Sequence, residues 1–486
     1  MTDAILPAAR HQAPVTTNSL DIHLIAIGGT GMAPLACLLK EQGHRVRGSD
    51  QPLYPPMSTL LFDAGITPLV GYDPVHLDPT LDLVVIGNAL PRSNPEALEV
   101  ERLGLDHMSM PQALSHFFLS DRRPLVIAGT HGKTTTTSLA AWVYTDCDTD
   151  PGYLIGGVPI DLGQSFQRGT GERFIIEGDE YNAAYFDRGP KFLHYQPETL
   201  ILTSVEYDHA DLYTDPESLV RVYEQLVAIV PDHGLLIAYG DSPEVRSVAG
   251  HTNCKTVFYG VDRGNDVQLI GPIETTSDGS RFRIRDSGVF DSDARVHEIR
   301  LSLAGEHNAL NAIAVWIAAR SDGIDAATVA RALGRFQGVH RRQEELGTRN
   351  GVTVLDDFAH HPTAVAKTLE ALRQRYPNRR LVAVFEPRSL TAGRSFFFNA
   401  YFEAFGQADR VYVAPVFHAA RLSPEDRLDV DGLVKRLTTA GTETSTSASI
   451  DELLESIVAE SKADDLIVTM SSGNFDNLPN RLLETL

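Results

Sequence analysis

Seven consecutive residues, Gly129-Thr130-His131-Gly132-Lys133-Thr134-Thr135, have types and spacing suited to phosphate chemistry. They follow an apolar run, PLVIA, that reads as a strand, and they precede TTSLAAWVY, which reads as a helix. Glycines let backbone N–H groups close around phosphate oxygens, and the helix start adds a positive dipole end. Lys133 supplies a point charge, and Thr134 can reach a magnesium ion (Mg2+). The gap between the glycines is shorter than in the general phosphate-loop pattern. The strand and helix around it still favour triphosphate binding.

Two further sites carry groups that hold metals. Glu177 ends the apolar run FIIE, and Glu206 with His209 lies just past TLILTSV. Both fall at the carboxyl ends of expected parallel strands, the edge where ligands of open α/β sheets collect. Thr134, Glu177 and His209 are therefore candidate magnesium ligands. Their neighbours Asp179, Glu180, Asp208 and Asp211 read as solvated loop carboxylates.

Asn308 and Asn311 share one face of an expected helix and can offer amides to a purine edge, with capping by Asn308 the plainer alternative. Leu310, Ile313, Ala314 and Ile317 form the expected buried stripe of that helix. Arg341, Arg342, Asp356, Asp357, His360 and His361 cluster at an expected domain junction, where clefts hold substrates. Arg342, Asp357 and His360 are the functional candidates there. Gly28-Gly29-Thr30-Gly31 with Asp50 has the look of a dinucleotide fingerprint. Pro34, however, stands where the pattern needs a small residue, which argues against a nicotinamide-dependent dehydrogenase.

These side chains need a scaffold, and the hydrophobic pattern supplies one. Short apolar runs alternate with helix-like stretches along the chain, the signature of mostly parallel α/β sheets. Three domains are expected: 1–122 as a Rossmann-like domain, 123–335 as a central mononucleotide-binding sheet, and 336–486 as a second Rossmann-like domain. Within 253–304 the runs FRIRDSG and VHEIRLSL alternate apolar and polar residues, which predicts antiparallel strands added to the central sheet.

The composition of the 486 residues, 43% hydrophobic and 22% charged, is that of a folded globular protein. A formal charge of -22 argues against a general nucleic-acid binder. Cys37, Cys147 and Cys254 are too far apart for a disulfide framework or a zinc motif, and a reducing cytoplasm fits them. The first twenty residues lack the apolar stretch of a secretory signal and read as a loose leader, and no run is long enough to span a membrane.

Taken together, IGGTGM, GTHGKTTTTS, EGDE, EYDHAD, GEHNALNA, FQGVHRR and DDFAHHPT resemble the Mur ligases, ATP-dependent amide-forming enzymes of bacterial cell-wall synthesis. The resemblance runs over essentially the whole chain after Asp21. Two branches of the family share this form of the motifs. One attaches L-alanine to UDP-N-acetylmuramate, and the other attaches the murein tripeptide L-alanyl-γ-D-glutamyl-meso-diaminopimelate in peptide recycling. Tyr54-Pro55-Pro56-Met57-Ser58, Ile86-Gly87-Asn88-Ala89 and the run from Asp179 to KFLHY are similar to the second.

The resemblance implies that ATP phosphorylates the lactyl carboxylate of UDP-N-acetylmuramate, and that the amine of the incoming peptide displaces phosphate from the acyl phosphate. It also implies residue roles. Asn308, Asn311 and Asp357 belong to the nucleotide, Arg342 to its phosphates and His360 to the closed site. Gly28, Gly29, Thr30, Gly31, Asp50 and Asn88 face the UDP group, and Arg388 with Ser389 meets the acceptor. A cytoplasmic monomer or weak homodimer is expected.

Three departures stand out. Several relatives use a carbamylated lysine after the His209 motif, but no lysine lies between Lys191 and Lys255, leaving Glu224 or water as the substitute. Gly178 replaces a usual alanine, which predicts a looser backbone beside Glu177. Asp476 stands where a glycine is usual. Two readings from other classes are the dehydrogenase set aside above and a non-catalytic nucleotide-binding regulator, which would need the loop but not the metal ligands.

Overall fold

A computed structural model describes residues 19–210, 212–290 and 293–486. The expected leader, apart from its last two residues, and Asp211 lie outside the described residues. The chain forms two compact units: the residues up to Ala113 together with Ala183–Arg188, and Leu114–Asn182 together with Gly189–Leu486. The expected division at residue 122 did not anticipate that a short segment from the middle of the chain belongs with the first unit.

The first unit is built on a five-stranded sheet. Its strands lie in the order Leu69–Val70, Arg45–Asp50, Asp21–Ile25, Leu83–Ile86, His107–Ser109, and all are parallel. LVVI of Leu83–Ile86 is buried at every position, as a parallel strand covered on both faces requires. The strand order reverses beside Asp21–Ile25. The Gly28–Gly31 turn and Asn88 follow the two strands that flank that reversal, where open α/β sheets leave a crevice for ligands. Within this unit the returning segment packs Tyr185 onto the core of Ile25, Val84, Ile86 and Val100, and sets the Phe186 ring 5.0 Å from His107.

The second unit carries two sheets. One has ten strands in the order Arg295–Leu301, Gly279–Asp286, Val267–Thr276, Lys255–Gly260, Leu235–Tyr239, Thr199–Leu202, Arg123–Ala128, Arg173–Gly178, Gly152–Leu154, Phe166–Gln167. Its middle is parallel, and the strands at both ends are antiparallel, including the expected pair near 282–303. The other sheet runs Glu344–Arg349, Val352–Asp357, Asp465–Met470, Arg380–Phe385, Arg410–Val413, Glu443–Thr446, and only its first pairing is antiparallel.

The helix Lys133–Asp146 packs against the helix Glu306–Ser321 over the larger sheet. The expected one-sided stripe on Glu306–Ser321 is not what forms. Every residue from Asn308 to Ala319 is buried, because sheet and helices enclose this helix on all sides. Trp316, fully buried there, is a large part of the core, and truncation to alanine would cost about 3–5 kcal/mol.

Candidate active site

The phosphate loop is held by backbone geometry that only glycine adopts easily. Gly129 has φ 134°, and an added Cβ would collide with Thr203 Oγ1 and with the Ser204 backbone. Gly132 has φ 81°, and a Cβ there would lie 2.9 Å from Asn311 Oδ1, so Asn311 rests against the loop. Thr130 Oγ1 donates to Glu206 O at 2.8 Å and accepts from Glu206 N at 2.9 Å. His131 N donates to Ser204 Oγ at 2.9 Å, so the loop is tied along the segment that follows strand Thr199–Leu202.

Lys133 Nζ donates to Gly129 O at 2.6 Å and to the two Glu180 carboxylate oxygens at 2.8 and 3.0 Å. Glu180 also meets His209 Nε2 at 2.8 Å, and His209 Nδ1 meets the Tyr181 hydroxyl at 2.8 Å. Burial alone would raise the Glu180 pKa, but the Lys133 charge and the His209 hydrogen bond outweigh it and bring it down to about 2. Burial likewise opposes the charge on Lys133 and His209, and Glu180 holds both above their ordinary values. Glu180 is therefore no solvated loop acid. It is 1% exposed and joins the loop lysine to the strand-end histidine. Asp208, also buried, accepts from His209 N at 2.6 Å, so the solvated reading fails there too.

Thr134 Oγ1 donates to Glu177 Oε1 at 2.9 Å, and Glu177 Oε2 accepts from Gly156 N at 2.8 Å. Arg342 donates to Thr134 Oγ1 at 3.2 Å and lies over the Phe358 ring at 4.7 Å. Burial raises the Glu177 pKa and lowers that of Arg342, although each is partly offset by opposite charge nearby. Two positive groups, Lys133 and Arg342, thus flank the carboxylate and hydroxyl that sequence spacing marks as metal ligands.

Several candidates are engaged by the fold itself. Asn308 is not the helix cap, which is Gly305; its amide donates to Ala304 O at 2.8 Å, and Asn311 donates to Asn308 Oδ1 at 3.5 Å. Asp357 accepts from Gln343 N at 2.8 Å and Ala359 N at 2.7 Å, which fixes the turn carrying His360. His360 Nδ1 meets Phe358 O at 3.1 Å, and burial lowers its pKa. Arg388 lies 3.8 Å over the Phe417 ring, with Nη1 3.4 Å from the buried Glu386 carboxylate, and Ser389 Oγ accepts from Ala392 N at 2.9 Å.

In the first unit, Asp50 Oδ2 accepts from Gly28 N at 2.8 Å, while Oδ1 accepts from Gln51 N at 2.7 Å and the Tyr72 hydroxyl at 2.9 Å. The acid braces the glycine turn. Gly29, Thr30 and Asn88 are exposed, and Gly31 precedes the helix Met32–Glu41, where an added Cβ would have to push aside the end of the Met110 side chain.

The three departures also resolve physically. Glu224 lies 3.7 Å from His251, and the side chains that meet the His209 ring are Glu180 and Tyr181. Gly178 is not loose; it pairs with Ala128 in the sheet, and a Cβ there would press Val126 at 2.9 Å. Asp476 takes φ 51° and accepts from Arg481 at 2.7 Å. Glu180 and Glu386 were missed from sequence. The spacing of Glu177 and Glu180 just past a strand end was the available signal for the first; burial of Glu386 had none.

Family models match nearly all of the chain: "Mur ligase family, catalytic domain" at 21–122, "Mur ligase middle domain" at 127–319, and "Mur ligase, glutamate ligase domain" at 341–473. The UDP-N-acetylmuramate–L-alanyl-γ-D-glutamyl-meso-2,6-diaminoheptandioate ligase of Escherichia coli K12 is 38% identical over 96% of this chain and 98% of its own. The UDP-N-acetylmuramate–L-alanine ligase of Halorhodospira halophila is 33% identical over 95% of this chain and 92% of its own. A crystal structure of a murein peptide ligase from Psychrobacter arcticus matches with a TM-score of 0.70 at 33% identity, over 96% of this chain and 98% of that one.

Proposed function

This chain belongs to the Mur ligase family, ATP-dependent and ADP-forming amide ligases, and from that premise we propose that it joins L-alanyl-γ-D-glutamyl-meso-diaminopimelate to UDP-N-acetylmuramate. The observation that carries the reading is the charged chain Lys133–Glu180–His209 beside Thr134 and Glu177, at the mouth of a phosphate loop. Full-length similarity to a tripeptide ligase supports the choice of acceptor.

The division of labour follows the sheets. Residues 1–122 would take the UDP-sugar through the Gly28–Gly31 turn and Asn88, 123–335 would take ATP, and 336–486 would take the acceptor near Arg388 and Ser389. The 129–135 loop would cradle the triphosphate, with Asn311, which rests against Gly132, and its neighbour Asn308 assigned to the nucleotide. Lys133 and Arg342 neutralise charge as the γ-phosphoryl group passes to the lactyl carboxylate. By the family resemblance, His360, whose pKa burial lowers, would stand near the amine that attacks the acyl phosphate.

The Thr134 hydroxyl and the Glu177 carboxylate are hard oxygen donors that fit magnesium, whereas both His209 nitrogens are already hydrogen-bonded and His209 would have to leave Glu180 to join them. Bound there, magnesium would offset charge on the triphosphate. A cytoplasmic setting, where ATP and UDP-sugars are made, goes with this reading. Among the described residues no helix is long and apolar enough to cross a membrane.

The test is phosphate release from ATP with each acceptor, using UDP-N-acetylmuramate labelled with heavy oxygen in its carboxylate. Label should appear in the released phosphate, and the tripeptide should turn over faster than L-alanine. Release of unlabelled phosphate would overturn the acyl phosphate. Faster turnover with L-alanine would favour the alternative L-alanine ligase.

A further inference from the structure

Beside the phosphate loop lies a second group of ligating side chains that the ligase chemistry above does not use. His131 of the loop, Glu206 past strand Thr199–Leu202, and His361 at the start of helix Pro362–Arg375 bring one ligand atom each within 4.8 Å of one another. His131 Nε2 lies 3.2 Å from Glu206 Oε2, and the two imidazole rings are 4.6 Å apart. We propose that these three residues form a binding site for a transition-metal dication, with zinc as its natural probe, separate from the magnesium position at Thr134 and Glu177.

Two independent features point to a ligand. His361 is 6% exposed, and its buried Nε2 has no hydrogen-bond partner. A buried polar nitrogen without a partner is costly, and a cation would satisfy it. The donor set is the second feature. Two imidazoles and one carboxylate suit zinc and its first-row neighbours, whereas magnesium and calcium prefer oxygen.

The surroundings favour the ligating states. Burial lowers the His361 pKa to about 4, so the ring is neutral and keeps a lone pair at neutral pH. Thr363 Oγ1 donates to Glu206 Oε2 at 2.8 Å, and the Phe397 ring packs against His361 at 4.7 Å as a dry wall. The His131 and Glu206 side chains are 22% and 41% exposed, which leaves an open side for entry and for a water ligand. Binding through Nε2 moves the ring proton to Nδ1 and gives up the long 3.3 Å contact from Thr363 N, one weak hydrogen bond exchanged for a coordinate bond.

A cation here ties the phosphate loop to a helix that follows a strand of the smaller sheet, so it should both stabilise the chain and restrain the loop. The experiment is titration of the full chain with cobalt(II) and zinc, without nucleotide, read by visible absorption and by competition with a chelating dye. Stoichiometric binding is expected, with His361→Asn and Glu206→Gln each weakening it at least about tenfold. Asparagine is a good helix cap, so His361→Asn preserves the helix start while removing the imidazole, and circular dichroism checks the fold. Glu177→Gln should leave this binding intact. The site is overturned if His361→Asn binds as tightly as the parent, if Glu177→Gln abolishes binding, or if cobalt shows the intense charge-transfer bands of thiolate coordination. None of these outcomes bears on ligase activity, which is tested separately.

Discussion

Two glycine turns in this molecule share a local plan and differ in charge. Each follows a parallel strand and opens a helix, Gly28–Gly31 before Met32–Glu41 and Gly129–Gly132 before Lys133–Asp146. In the first, the acid Asp50 braces the turn through Gly28 N, and no lysine follows. In the second, Lys133 stands in the turn of the helix and is balanced by the buried Glu180. A turn that carries no cation of its own suits a diphosphate held by backbone alone. A turn with a balanced cation can release that cation to a triphosphate. The strand, turn and helix thus set where an anion sits, and the paired charges decide what is done to it.

The contrast can be broken in order of expected effect. Lys133→Ala should lower turnover about a thousandfold, read by phosphate release in the presence of both substrates. It also leaves the buried Glu180 carboxylate with His209 as its remaining charged partner, so urea unfolding should show a loss of about 1–3 kcal/mol. A stable Lys133→Ala protein with near-normal turnover would remove the distinction between the turns.

The first unit has its own buried carboxylate, Glu96, which meets His76 Nδ1 at 2.7 Å and the Ser49 hydroxyl. Burial raises its pKa, but hydrogen bonds from His23, Ser49 and His76 outweigh it and lower the net value below 4.5. The stabilisation is therefore full above pH 4.5 and is lost as pH falls through the lower folded value. Glu96→Gln should cost about 1–3 kcal/mol at neutral pH, with the gap closing in acid, as read by hydrogen exchange in strand Asp21–Ile25. A gap that widens in acid would contradict the assignment.

Smaller effects sharpen the picture. Gly132→Ala must accept a left-handed backbone and press Asn311, so it should cost about 1–2 kcal/mol and raise KM for ATP about tenfold. Gly29→Ala meets nothing closer than Met32 Cγ at 3.4 Å, so its stability should change by less than about 0.5 kcal/mol, with any loss confined to UDP-sugar affinity. Equal losses at the two positions, by thermal unfolding, would show that the turns are held alike.

Much of the scaffold was legible in the residues. FIIE, TLIL and LVVI are continuous apolar runs, and only burial on both faces explains them, so parallel strands followed. The loop at 129–135 declared its chemistry because glycines, a lysine and a threonine act over a few bonds. The helix Glu306–Ser321 read less well, since its sequence suggested one buried face and the sheet with its neighbouring helices encloses all of them. Glu180 was misread because its pattern is that of any loop acid.

Local order in the chain therefore determined the strands, the two turns and the kind of ligand each can hold, because hydrogen-bonding period and backbone freedom depend on near neighbours. Only the tertiary structure decided that Glu180 lies buried between Lys133 and His209, that Ala183–Arg188 joins the first unit, and that His361 faces His131 and Glu206. The charge a carboxylate keeps, and the partner a histidine finds, depend on the water removed and the groups delivered by segments far away in sequence, and no local pattern encodes either.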